Sequence, residues 1–128
     1  MSYYFTKIVD LSFDDAIAKV TDELKKEGFG VLTQIDVTGT LKEKIGVDFK
    51  KYRILGACNP GFAHKALLAE DKIGTMLPCN VIVQENDNGE IEVSAVNPVA
   101  SMQAVQNESL GDIASTVQAK LKQVIDNL

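Results

Sequence analysis

The sequence predicts an α+β fold: a mostly antiparallel sheet of about five strands with helices packed on one face. Three observations lead there. Stretches near each end of the chain carry apolar residues at helical spacing behind a capping signal. Between them lie short runs of β-branched and apolar residues with strand character. Asn86-Asp87-Asn88-Gly89 then joins two such runs as a hairpin, because Asn-Gly supplies the positive φ values of a type I′ turn. A hairpin excludes a purely parallel sheet.

The elements follow in order. Tyr3 to Val9, rich in aromatic and β-branched residues, forms a first strand. Ser12, with Asp15 three positions on, opens a helix as a capping box. Phe13, Ala16, Ile17, Val20 and Leu24 make its apolar face. Lys25 and Lys26 suit its C-terminal dipole, and Gly28 stops it. From Phe29 the period becomes two, with Phe29, Val31, Thr33, Ile35 and Val37 on one strand face. Residues 40–45 could be a short helix stopped by Gly46, or a structured connection. Tyr52 to Cys58 is a strand in which Gly56 marks a bulge or a close backbone approach. Asn59-Pro60 reads as an N-cap followed by proline at the first helical position. That helix runs through Phe62, Ala63, Ala66, Leu67 and Ala69 to about Asp71, and a turn containing Gly74 follows. Asn80 to Gln84 and Glu90 to Val96 are the hairpin strands, ended by Asn97-Pro98. Ser109 with Asp112 makes a second capping box, and Leu110, Ile113, Val117, Leu121, Val124 and Ile125 line the last helix.

Composition bounds the function. The chain of 128 residues, 1–128, is the size of a single domain. Its net charge of −5 argues against nucleic acid, which needs clustered Lys and Arg, and against an anionic membrane surface. No apolar run is long enough to span a bilayer, and the first residues lack a signal-peptide pattern. The expected location is the cytoplasm, where Cys58 and Cys79 are reduced thiols.

Chemistry concentrates in residues 55–64. Cys58 ends a strand just before a helix N-terminus, whose free N–H groups and dipole favour thiolate. It is thus a candidate nucleophile or metal ligand, although burial as a small apolar residue is the stronger reading. His64, the single histidine, lies about one turn further on and is a candidate general base. A solvated surface position is the more usual outcome for such a residue. Cys58, Cys79 and His64 together are candidate soft-metal ligands, but they do not reach the four ligands of a closed zinc site. A reversible Cys58–Cys79 disulfide needs Cα atoms within about 7 Å. No phosphate loop, dinucleotide fingerprint, nucleophile elbow or H-E-x-x-H motif is present. Met102, Val105 and Leu110 could line an apolar groove, with core packing the stronger reading.

Several pieces together resemble a known family. Gly28-Phe29-Gly30-Val31, the run from Tyr52 to Pro60, Leu77-Pro78-Cys79-Asn80-Val81, and Asn97-Pro98 with Met102 are similar to the domain-of-unknown-function family 302. The resemblance spans nearly the whole chain. It implies a β-α-β(4)-α order similar to one repeat of the TATA-box-binding protein, and small bacterial or archaeal homodimers. It implies no reaction, substrate or cofactor, and DNA binding does not transfer to so acidic a chain. It marks Cys58, Asn59, Pro60, Leu77, Pro78 and Cys79.

Two functions compete. One is a non-catalytic small-ligand-binding or interaction protein, working as a homodimer without a cofactor. Its ligand would sit against Cys58, Asn59, Pro60, Gly61, Pro78 and Cys79. The other is thiol-based redox or metal handling centred on Cys58. The absence of a complete catalytic set favours the first over an enzyme.

Overall fold

A computed structural model describes residues 2–128. Five strands, β1 (Tyr4–Val9), β2 (Gly30–Asp36), β3 (Tyr52–Cys58), β4 (Cys79–Glu85) and β5 (Ile91–Val96), form one sheet in the order β1-β5-β4-β3-β2. Every neighbouring pair is antiparallel. The helices are α1 (Phe13–Lys26), α2 (Val37–Ile45), α3 (Pro60–Ala69), α4 (Pro98–Ser101) and α5 (Gly111–Asp126), with 3₁₀ turns at Asp71–Met76 and Glu108–Leu110. The α+β class, the presence of the hairpin and the β-α-β(4)-α order are as expected, with α2 and α3 carried in the connections. The hairpin turn is not the expected type I′: only Gly89 has positive φ, at +85°, and Asn88 does not, so the turn over Asn86–Gly89 is closed by one left-handed glycine whose amide donates to the Asn86 carbonyl at 2.8 Å.

Alternation along the strands explains the layers. Val81 and Val83 of β4, Val93 and Ala95 of β5, and Leu55 and Ala57 of β3 point to one face and are fully buried. Val20 and Leu24 of α1 and Leu121 and Val124 of α5 cover them. Each such side chain contributes about 1.5–3 kcal/mol relative to leaving it in water. The opposite face carries Tyr4, Ile8, Tyr52, Ile54, Ile82 and Ser94, and no helix covers it.

The helix ends show why the chain folds locally as it does. Ser12 Oγ accepts from the Asp15 amide at 3.1 Å, and Gly28 adopts φ +86° just past α1. The stretch after β2 is the helix α2, entered three positions before the expected start. Asp36 caps it by accepting from the Gly39 amide at 3.1 Å, and Gly46 closes it at φ +66°.

Three local expectations are corrected. First, β2 does not alternate cleanly: Val31 pairs with Ala57 but Thr33 pairs with Gly56, so Leu32 is an extra residue in a bulge. The slip puts Thr33 and Ile35 on the open face, while Phe29 and Val31 stay with the core. Val37 belongs to α2. Second, Ser109 and Asp112 do not cap the last helix. Asn107 accepts from the Ser109 amide and opens a 3₁₀ turn that runs straight into α5. Third, Asn97-Pro98 does more than end β5. The Asn97 side chain accepts from the Val99 amide and from Gln118 Nε2, and so starts α4 and ties it to α5.

Candidate functional site

The site grows out of the C-terminal end of β3. Gly56 lies opposite the β2 bulge, where an added Cβ would collide with Thr33 Oγ1 and come within 2.9 Å of Pro78 Cγ. Only glycine lets the bulged strand, β3 and the Pro78 segment converge there. Asn59 then occupies the N-cap position of α3, but its side chain makes no capping bond. Its Nδ2 donates instead to the carbonyl of Glu27, at the end of α1, at 3.3 Å. Asn59 therefore fastens the start of α3 to the end of α1, and proline at the first helical position needs no amide partner.

Helix α3 runs out from this anchor and leaves a space between itself, the sheet and α5. The space measures about 340 Å³. Phe29, Ala57 and Cys79 form its floor, Phe62, Ala63 and Ala66 one wall, and Ile113, Ala114 and Val117 of α5 the other. Pro78, Met102 and Leu110 close one side. Thr33, Asn59 and the two thiols are the polar groups on the lining, and no charged residue lies there. A water molecule needs two to four polar partners to settle in a cavity, so this space favours apolar occupants over water.

The two thiols differ in surroundings. Cys79 is buried and paired with Ala57 in the sheet. Burial, and then the nearby Cys58, push its thiol up to about 11. It stays protonated at neutral pH and so is a poor nucleophile. Cys58 is half-buried at the mouth, and both cysteines are free.

The structure gathers some of the expected site residues and separates others. Cys58, Asn59, Pro78 and Cys79 all line the cavity. Pro60 and Gly61 are exposed in the first turn of α3 and are not part of the lining. His64 is exposed on α3 and likewise does not line it. Among the described residues, no group of three or more His, Cys, Asp or Glu stands together as a metal site. The α5 wall and the bulged Leu32 escaped sequence reasoning, because they reach the site only through tertiary packing. Met102 and Leu110 do line the cavity, while Val105 packs beside them against Ile73 and Ala66.

The match to known proteins covers this whole arrangement. The family model described as "Domain of unknown function DUF302" matches residues 5–128. The chain belongs to the DUF302 family. A similar solved structure is that of an uncharacterized conserved DUF302 protein from Bacillus stearothermophilus. The two share 31% identity over 98% of each chain, with a TM-score of 0.91. No curated protein matches the chain. No helix among the described residues is long and apolar enough to cross a membrane. For DUF302, then, the geometry of the cavity rather than a named relative has to carry the functional argument.

Proposed function

We propose that this DUF302 chain is a non-catalytic, cytoplasmic binding protein that works as a homodimer and holds a compact, uncharged apolar molecule between α3 and α5. One observation carries this function: the cavity of about 340 Å³ has an apolar lining with no charged residue. A charged ligand group inside it would lose its hydration without a partner. An apolar cavity of about 150 Å³ accepts benzene. A space of about 340 Å³ therefore suits a molecule of roughly two fused rings or an equivalent aliphatic body. The homodimer has a suitable surface in the open sheet face. Glu92 is the one charged side chain among the strand residues of that face, and Thr6 and Asn86 already hydrogen-bond to it. A second acidic copy could approach there with little repulsion.

Titration with 1-naphthol, and with naphthalene-1-sulfonate as its charged counterpart, tests the ligand class. Expected is saturable binding of the neutral compound at one per chain, a raised Tm, and amide shifts at Ala57, Ala63 and Val117. The sulfonate should leave those amides unmoved. Ala63→Phe should fill the space and weaken 1-naphthol at least about tenfold, while Leu68→Ala, on the exposed side of α3, should not. Equal binding by wild type and Ala63→Phe would remove the ligand from this cavity. Native mass spectrometry of the same sample reads the dimer, and a monomer at micromolar concentration would discard that part.

A further inference from the structure

We propose a second binding site at the opposite end of β3. The groove between the start of α1, α2 and Lys51–Arg53 takes a small organic monoanion. Its acid group pairs with Lys51 and Arg53, and its apolar body lies on Val47 and Phe49. The groove measures about 470 Å³ and shares no lining residue with the apolar cavity.

The two cations are placed by strand geometry. Residues two apart on a strand share a face, and Arg53, opposite Val83, points to the helix side. Lys51 Nζ and Arg53 Cζ each stand 5.9 Å from the centroid of the Phe13 ring. One aromatic ring thus sits under two positive groups that would otherwise repel each other.

Neither cation has an acidic partner. The ion pairs among the described residues are Lys26–Glu23, Lys42–Asp48, Lys72–Asp71 and Lys122–Asp126. Arg53 Nη1 donates to the neutral Gln34 Oε1 at 3.1 Å. Arg53 Nε is buried with no hydrogen-bond partner. A guanidinium carries five N–H donors in a fork matched to carboxylate, and in Arg53 that fork meets a neutral amide rather than a carboxylate.

Charge distribution agrees. Residues 36–53 carry five basic and three acidic side chains, a local +2, while the rest of the chain carries eight against fifteen, or −7. The groove lining itself is balanced, with Lys42, Lys51 and Arg53 against Asp14, Asp36 and Asp48, so it is a neutral concave surface on a negative molecule and admits a small anion where the cations lack acidic partners. The carboxylates at the groove set the limit on ligand charge. Asp36 is engaged in capping α2 and Asp48 pairs with Lys42, but Asp14 also lines the groove and would oppose a polyanion. The apolar contribution comes from the exposed Val47 and Phe49, while the buried Phe13 holds the two cations in place.

Amide-shift titrations with sodium benzoate, sodium acetate and inorganic phosphate test the site. Benzoate should bind saturably, with shifts centred on Phe13, Phe49, Lys51 and Arg53, and at least several-fold more tightly than acetate or phosphate. Arg53→Gln and Lys51→Met, each verified as folded, should weaken it about tenfold, the usual scale for losing a charge-assisted hydrogen bond. Should Arg53→Gln not fold, Lys51→Met and Phe49→Ala carry the same test. Absence of saturable benzoate binding would overturn the site, as would unchanged affinity in the variants. Phosphate binding more tightly than benzoate would overturn the ligand class. Shifts at Ala57 and Val117 instead would place benzoate in the apolar cavity, overturning this site and also the uncharged ligand class proposed for that cavity, whereas loss of benzoate binding with 1-naphthol binding intact would overturn this site alone.

Discussion

The two ends of β3 lie on the same face of the same sheet and have opposite character. At the Cys58 end, α3 is anchored by Asn59, and the half-open space beside it is apolar and without charge. At the Lys51 end, α2 stands away from the sheet with no buried residue of its own, and the space beside it holds charged groups of both signs. The contrast follows from how each helix is attached. Helix α3 is tied down at both ends: Asn59 bonds Glu27 at one, and at the other Asn107 Nδ2 donates to the Ala69 carbonyl at 2.8 Å. Helix α2 is attached through its caps and through Thr38, whose Oγ1 bridges the Lys50 carbonyl and the Tyr52 amide. A helix clamped at both ends can hold apolar walls together over the sheet. One hinged on a few exposed bonds leaves a groove open to water and to charge.

The largest expected effect comes from the residue between the two sites. Leu55 is fully buried midway along β3, between Arg53 and Ala57 on the helix face. Leu55→Ala should cost about 2–5 kcal/mol, from lost transfer free energy and the void left behind. Urea unfolding should show a lower midpoint with an unchanged slope. If the two ends are independent, 1-naphthol and benzoate affinities measured on the folded variant should not move together. A matched loss of both would merge the sites into one unit.

Next in size is a pH effect that belongs to the apolar end alone. The Cys79 thiol has a reference value of 9.0 and is pushed up to about 11 in the fold. Above pH 9 the unfolded chain loses this proton while the native chain keeps it. Stability should therefore fall as pH rises from about 9 and level off near 11, by roughly 2–3 kcal/mol in all. Tyr52, raised by its own burial and by Tyr3, acts in the same direction. The decisive quantity is thus the difference between wild type and Cys79→Ala, whose fall over the same window should be smaller. Identical pH profiles would mean that water reaches Cys79 and that the cavity is not the dry space described here.

Local signals carried most of the fold. Ser12 with Asp15, Gly28 and Gly46 each act through backbone geometry within a few residues, and each stands where expected; the Asn86–Gly89 turn stands in its place too, but with positive φ at Gly89 alone rather than at the type I′ pair. The departures are where a distant group outweighed the local rule. Asn59 gives up its capping bond for Glu27 on another helix, and Asn107 takes over from Ser109 while also bonding Ala69. The Leu32 bulge has no marker in β2 itself and shows only as Gly56 across the ladder. The cavity follows the same division. Its β3 and Pro78 sides could be marked from the chain, whereas its α5 wall depends on how the last helix returns across the sheet. The groove was invisible for a related reason. Lys51 is sequence-adjacent to Lys50 and looks like a solvated pair, and only the packed position of Phe13 brings Lys51 and Arg53 to one ring.

The smallest expected effect separates the two ends most cleanly. Asp36 holds the N-terminus of α2 through the Gly39 amide, and α2 buries no residue. Asp36→Ala should cost the helix about 1 kcal/mol, the usual loss for a side-chain cap. Because so little of the core depends on α2, the cost should appear as local opening rather than global unfolding. Hydrogen exchange should quicken several-fold at residues 39–45, while the amides of β4, α1 and α5 keep their protection and Tm shifts little. Binding of 1-naphthol should be unchanged, and benzoate affinity should alter, because removing one carboxylate from the groove and loosening its wall act there alone. Equal acceleration of exchange across β4 and α5 would show that α2 is part of the cooperative core, and the distinction between a clamped end and a hinged end would fail.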